Sequence, residues 1–116
     1  MGFPSPAKDY EQKDIDLSAY LIEHPLATYL VRVKGNGMSG AHIHDNALLI
    51  VDRTLKPDHN RIVVVDLNGE RLVRRLIKSP RSWVLQADGM GTPPLVITKE
   101  MDLQIFGVVT KIIIET

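Results

Sequence analysis

A chain of 116 residues has room for one compact core and little else. Its 14 basic side chains are cancelled by 14 acidic ones, so composition gives no electrostatic case for nucleic-acid binding, and the lack of cysteine excludes disulfides, thiolate nucleophiles and cysteine-based zinc sites. No apolar run approaches the roughly 18 to 20 residues of a membrane span, and the opening MGFPSPAKDY lacks the apolar middle of a signal peptide, so a soluble, cytoplasmic, membrane-free protein is the expectation.

Residues 1 to 15 read as an extended arm: Pro4, Ser5, Pro6 and the charges that follow show neither helical nor alternating periodicity. Residues 16 to 116 then form one β domain. Leu17, Leu21 and Ile22 recur near helical spacing between a candidate N-cap, Asp16, and Pro25, which predicts one short helix. From Thr28 onward, short runs rich in Val, Ile, Leu and Tyr alternate with Gly, Pro, Asn and Asp. Strands are expected over 28–33, 47–53, 61–67, 71–78, 82–87, 95–97 and 103–114. Asn68-Gly69 tolerates the positive φ angles of a two-residue hairpin turn, so the third and fourth strands should pair antiparallel. Gly107 signals a bulge or bend in the last strand. That strand ends in Ile112 to Ile114, more apolar surface than an exposed edge tolerates, so a second subunit is expected to cover it.

Several constellations invite chemistry and do not sustain it. Gly35, Gly37 and Gly40 match neither the dinucleotide nor the nucleoside-triphosphate fingerprint. His42 and His44 near Asp45 would share a face of a strand, but three local ligands are too few, and no metal or other cofactor is expected. Arg71, Arg74, Arg75, Lys78 and Arg81 form the densest basic tract; without interleaved aromatics it reads as a solvated strand face, and direct sequence-specific DNA binding is not expected. Trp83 and Phe106 read as core or interface anchors.

Taken together, GFPSPAKDY, HPLATYLVRVKGNGM, ALLIVD and the distal LQIFGVV resemble the UmuD family, which shares the LexA-type serine peptidase fold. The resemblance covers nearly the whole chain and implies a mainly β, LexA/UmuD-like peptidase domain with a short N-terminal helix and an extended N-terminal arm. Members are made with a leader that self-cleavage removes just before a Gly-Phe-Pro sequence, and Gly2-Phe3-Pro4 here follows Met1 directly, so the chain resembles the processed form.

The family's nucleophilic serine lies between a Gly-x pair and a Met, a frame that reads Gly35-Asn36-Gly37-Met38 here and puts Gly37 at the nucleophile position. Its lysine base follows Val on the strand after the hairpin, and in Leu72-Val73-Arg74-Arg75 that position is Arg74. Hydrolysis needs an activated hydroxyl and a base able to shed its proton; a guanidinium stays charged even when buried. The resemblance therefore implies a degenerate cleft at Gly37 and Arg74, flanked by Met38, Ser39 and Arg75, with no catalytic residue, and Arg74 is expected to spend its donors on backbone carbonyls or a carboxylate. Ser39 reads as a turn serine beside Gly40.

By resemblance the function is that of a noncatalytic accessory subunit. It would be a homodimer supporting translesion synthesis by a Y-family DNA polymerase subunit of the UmuC type during the SOS response, and would engage the RecA filament. Self-association is expected through Ile105, Phe106, Val108, Ile112 and Ile114. Two alternatives stand beside it: a self-cleaving LexA-type serine peptidase whose active site has been substituted, and the C-terminal dimerisation domain of a LexA-like repressor.

Overall fold

The computed structural model describes residues 14–89 and 91–116, so most of the expected arm lies outside the described residues. Helix α1 spans Leu17–Leu21, and the Asp16 carboxylate caps it by accepting from the Ser18 and Ala19 amides at 3.1 and 3.4 Å. It ends sooner than its apolar spacing predicts because Ile22 is already extended and Pro25 opens a 3-10 turn over Pro25–Ala27.

Seven strands follow: β1 (Thr28–Arg32), β2 (Leu48–Asp52), β3 (Ile62–Leu67), β4 (Glu70–Lys78), β5 (Trp83–Gln86), β6 (Leu95–Val96) and β7 (Leu103–Ile113). They make one antiparallel sheet in the order β1-β2-β7-β3-β4-β5-β6. The expected hairpin is present: Leu67 pairs with Glu70 across Asn68 and Gly69, whose φ angles are 50° and 84°.

The expectation of an exposed last strand is corrected: β7 lies inside the sheet, between β2 and β3. A run that is apolar at successive positions has both faces covered, and here the subunit's own two cores cover it. Val109 joins a cluster with Val33, Met38, Leu49 and Val73, whereas Val108 joins a second cluster with Val63, Val65, Leu76 and Leu85. Successive side chains on a strand point to opposite faces, which is why neighbours in sequence belong to different cores. Gly107 sits at the expected irregularity. The β3 pairing skips from Gly107 to Ile105, leaving Phe106 as the extra residue of a bulge.

One polar group is buried in this apolar sheet. Asp52, 4% exposed, receives the Thr54 amide and hydroxyl at 2.8 and 2.6 Å and meets His24 Nδ1 at 2.6 Å, which ties the α1–β1 junction to the end of β2. The hydrogen bond to Asp52 raises the His24 imidazole above its ordinary 6.5, while burial, which pushes the Asp52 carboxyl up, is outweighed by Thr54 and His24, which hold it at about 2. A raised histidine stabilises fully below 6.5 and loses its contribution as pH climbs through the raised value. A lowered carboxyl contributes above its unfolded value of about 4 and loses that contribution as pH falls toward its folded one. The latch is therefore strongest between roughly pH 4 and 6.5. The melting temperature should be higher at pH 5.5 than at pH 8.5, and His24→Ala should shrink that difference; a wild-type chain equally stable at both would remove the latch.

Candidate functional site

The loop leaving β1 is held from both ends. The Gly35 amide donates to Asp45 Oδ1 at 2.7 Å and the Asp45 amide returns a bond to Asn36 Oδ1 at 3.0 Å, with Gly35 at φ 85° to make the turn. Beyond it, Met38 is 2% exposed in the first core and bridges to Ile43, so the residue before it, Gly37, is fixed at the mouth of that core. Ser39 starts a 3-10 turn over Ser39–Ala41.

A second wall comes from the turn after β5. Asp88 takes the Gly40 amide on its carbonyl and places its own amide 3.3 Å from Met38 Sδ. Gly89 packs so closely that an added Cβ would lie 2.9 Å from the Asn36 carbonyl oxygen. Arg75 secures this turn: Nε and Nη2 reach Asp88 Oδ2 at 3.0 and 2.7 Å, and Nη1 reaches the Asn60 carbonyl at 2.8 Å. Asp88 and Gly89 were missed in the sequence. An Asp-Gly pair signals a turn, but nothing local to it says which loop the turn will meet.

Arg74 projects from β4 directly at Gly37. A Cβ built on Gly37 would lie 2.9 Å from Arg74 Nη1, 3.3 Å from Cζ and 3.4 Å from Nη2, so the guanidinium occupies the space a side chain at 37 would enter. Arg74 is half-buried, and Nη1 donates to the Val73 carbonyl at 2.7 Å, the kind of partner expected for it. Gly37 and Arg74, 37 positions apart, are thus in contact, at one end of an open cleft of about 520 Å³ between residues 31–35 and 70–74, with Met38 and Thr92 completing it. Ser39 does not line this cleft.

Arg71 and Lys78 of the basic tract have partners of their own. Arg71 makes a two-pronged pair with Asp66 at 2.9 and 3.1 Å, which holds the Asp66 carboxyl below its usual range, and its guanidinium lies 4.1 Å from the Phe106 ring centroid. The Lys78 ammonium lies 4.6 Å from the Trp83 ring centroid. His42 has φ 66° at the end of the 3-10 turn, so the strand alternation that put it on one face with His44 does not hold. Among the described residues, no group of three His, Asp or Glu side chains is placed to hold a metal ion.

The residues expected to pair subunits separate. Val108 is wholly buried, and Ile105, Phe106 and Ile112 pack against the two cores, with Phe106 edge-on to Tyr29 and under the Arg53 guanidinium. Ile114 alone of the five is exposed, at 65%. The correction for Val108 follows from the central place of β7.

The family model for peptidase S24-like proteins matches residues 1–110. The chain belongs to the peptidase S24-like family. It is 39% identical to protein MucA of Escherichia coli over 114 residues, 98% of this chain and 78% of that protein. It is 41% identical to protein SamA of Salmonella typhimurium over 115 residues, 99% and 79% of the two chains. These relatives are of the UmuD type, in agreement with the resemblance in the sequence. A LexA repressor of Caldicellulosiruptor saccharolyticus is 33% identical over 85 residues, 73% of this chain but 41% of the repressor. The single antiparallel sheet and short helix fit the expected mainly β fold of this family. No described helix is long and apolar enough to cross a membrane.

Proposed function

We propose that the chain is a noncatalytic, homodimeric accessory protein of the SOS response, which supports translesion synthesis by a Y-family DNA polymerase subunit of the UmuC type and engages the RecA filament. The observation that carries the noncatalytic part is the contact between Arg74 and Gly37. At this meeting point there is no hydroxyl to attack, and the facing group is a guanidinium, which does not take up a proton. The partner assignment rests on family membership and on the match to UmuD-type relatives over nearly the whole of this chain and 78–79% of theirs, against 41% of the LexA repressor. Co-purification from DNA-damaged cells tests it: a Y-family polymerase subunit should be recovered with the chain, and its absence would favour the repressor reading.

Dimerisation is assigned to the exposed apolar surface along α1 and β1 that reaches Ile113, and not to the buried Val108; Ile114 lies on a separate pocket with His42, His44 and Asp45. Leu17, Tyr20, Leu26, Tyr29 and Leu30 are exposed, and an apolar groove runs from Ile22 across Tyr29 and Leu30 to Ile113. Exposed apolar surface of this kind is what subunit contacts cover. Leu30→Asp with Leu26→Asp, both exposed, should halve the mass seen by sedimentation while leaving the melting curve cooperative. An unchanged dimer would exclude this surface.

A further inference from the structure

The cleft at Gly37 keeps features that its lost chemistry does not need. Four cations border it, Arg32, Lys34, Arg71 and Arg74, against one carboxylate, Glu70. Arg32 and Arg71 are paired with Glu115 and Asp66, at 3.2 and 2.9 Å. Among the described residues, Lys34 and Arg74 have no carboxylate within ion-pair distance, so the cleft carries a net positive charge. Arg74 spends one N–H on the Val73 carbonyl, and a guanidinium has five. The amide of Gly37 donates to no acceptor among the described residues, whereas that of Met38 faces Ile43 across a backbone bridge, and Gly37 lines the cleft.

Donors of these kinds suit an oxyanion, which on an unmodified peptide is a carboxylate. A guanidinium presents parallel N–H groups that match the two oxygens of a carboxylate, and neighbouring main-chain amides add charge-assisted bonds. With glycine at 37, no side chain stands in front of the guanidinium. We propose that the degenerate cleft is a receptor for a peptide-borne carboxylate, with Arg74 as its anchor, Lys34 as a supporting charge and the Gly37 amide as a further donor. The inference rests on the noncatalytic reading of the same site: the pair that no longer cuts a peptide holds its acidic group instead.

The test titrates the intact chain with three probes and follows backbone amide NMR shifts: N-acetyl-trialanine acid, the same peptide as its C-terminal amide, and an acetylated Ala-Asp-Ala amide. The acid should bind at the Gly37 amide at least about tenfold more tightly than the terminal amide, the margin set by a charge-assisted pair. Binding of the Asp-containing amide would assign the site to side-chain carboxylates; binding of the acid alone would assign it to chain ends. Arg74→Gln should lose about tenfold in affinity, and Lys34→Gln, on an exposed residue, should lose less. Equal shifts from all three probes, or none from any, overturn the proposal whether or not the Arg74 variant folds. A chain that cleaves a fused leader would defeat the noncatalytic reading and leave the acid-against-amide comparison to stand or fall by itself.

Discussion

The double variant Gly37→Ser, Arg74→Lys is expected to remove a leader peptide fused ahead of Gly2, where neither single variant does. The Arg74 side chain already ends 2.9 Å from where a Cβ at position 37 would stand, so a lysine extending from the same place on β4 would bring its amine to a serine hydroxyl there. A half-buried lysine sheds its proton far more readily than an arginine, which is what the base role needs. Gly37→Ser alone supplies a hydroxyl but crowds it against a guanidinium that has to swing aside and cannot take its proton. Arg74→Lys alone supplies a base with nothing to activate. General-base catalysis contributes on the order of 100- to 10,000-fold, so the double variant should exceed either single one by at least about 100-fold. Mass spectrometry of the fused protein over time reads this directly. Equal rates in all three would mean that the cleft walls, and not the pair alone, have moved away from peptidase geometry.

Gly107→Val should strongly destabilise the fold. A Cβ at Gly107 would lie 2.6 Å from Val51 Cγ1 and 3.1 Å from the Asp52 carbonyl oxygen, between two central strands that cannot part without breaking their ladder. Overpacking of this kind costs about 2–3 kcal/mol, which lowers the melting temperature of a domain this size by roughly 8–12 °C. Gly69→Ala is the contrast. Its φ of 84° strains a non-glycine residue, yet no atom lies within 4 Å of the added Cβ, so the loss should stay near 1 kcal/mol. A Gly107→Val chain that melts with the wild type would mean that β2 and β7 are not packed as described.

Much of this fold was legible along the chain because its signals are local. All seven strands lie within a residue of where the apolar runs put them, Asn68-Gly69 makes the turn expected of it, and Asp16 caps the helix. Strand alternation and turn chemistry are decided by neighbours in sequence, which is why they can be read from it. The matching of Gly37 and Arg74 to the family frame was also local, since each sits in its own short motif.

What the sequence determined, then, was where strands begin and end and which residue types, Gly37 and Arg74, stand in the two motifs the family frame picks out. Tertiary structure decided the rest. An apolar run such as Leu103–Ile113 says that both faces are covered, but not by what; the fold placed β7 between β2 and β3 and so withdrew Val108 from any subunit contact. The partners of the charges were equally out of reach, because Arg75 with Asp88 and His24 with Asp52 join different segments of the chain. Only a folded backbone brings such pairs together, and in doing so it leaves the Arg74 guanidinium facing a glycine across an open cleft.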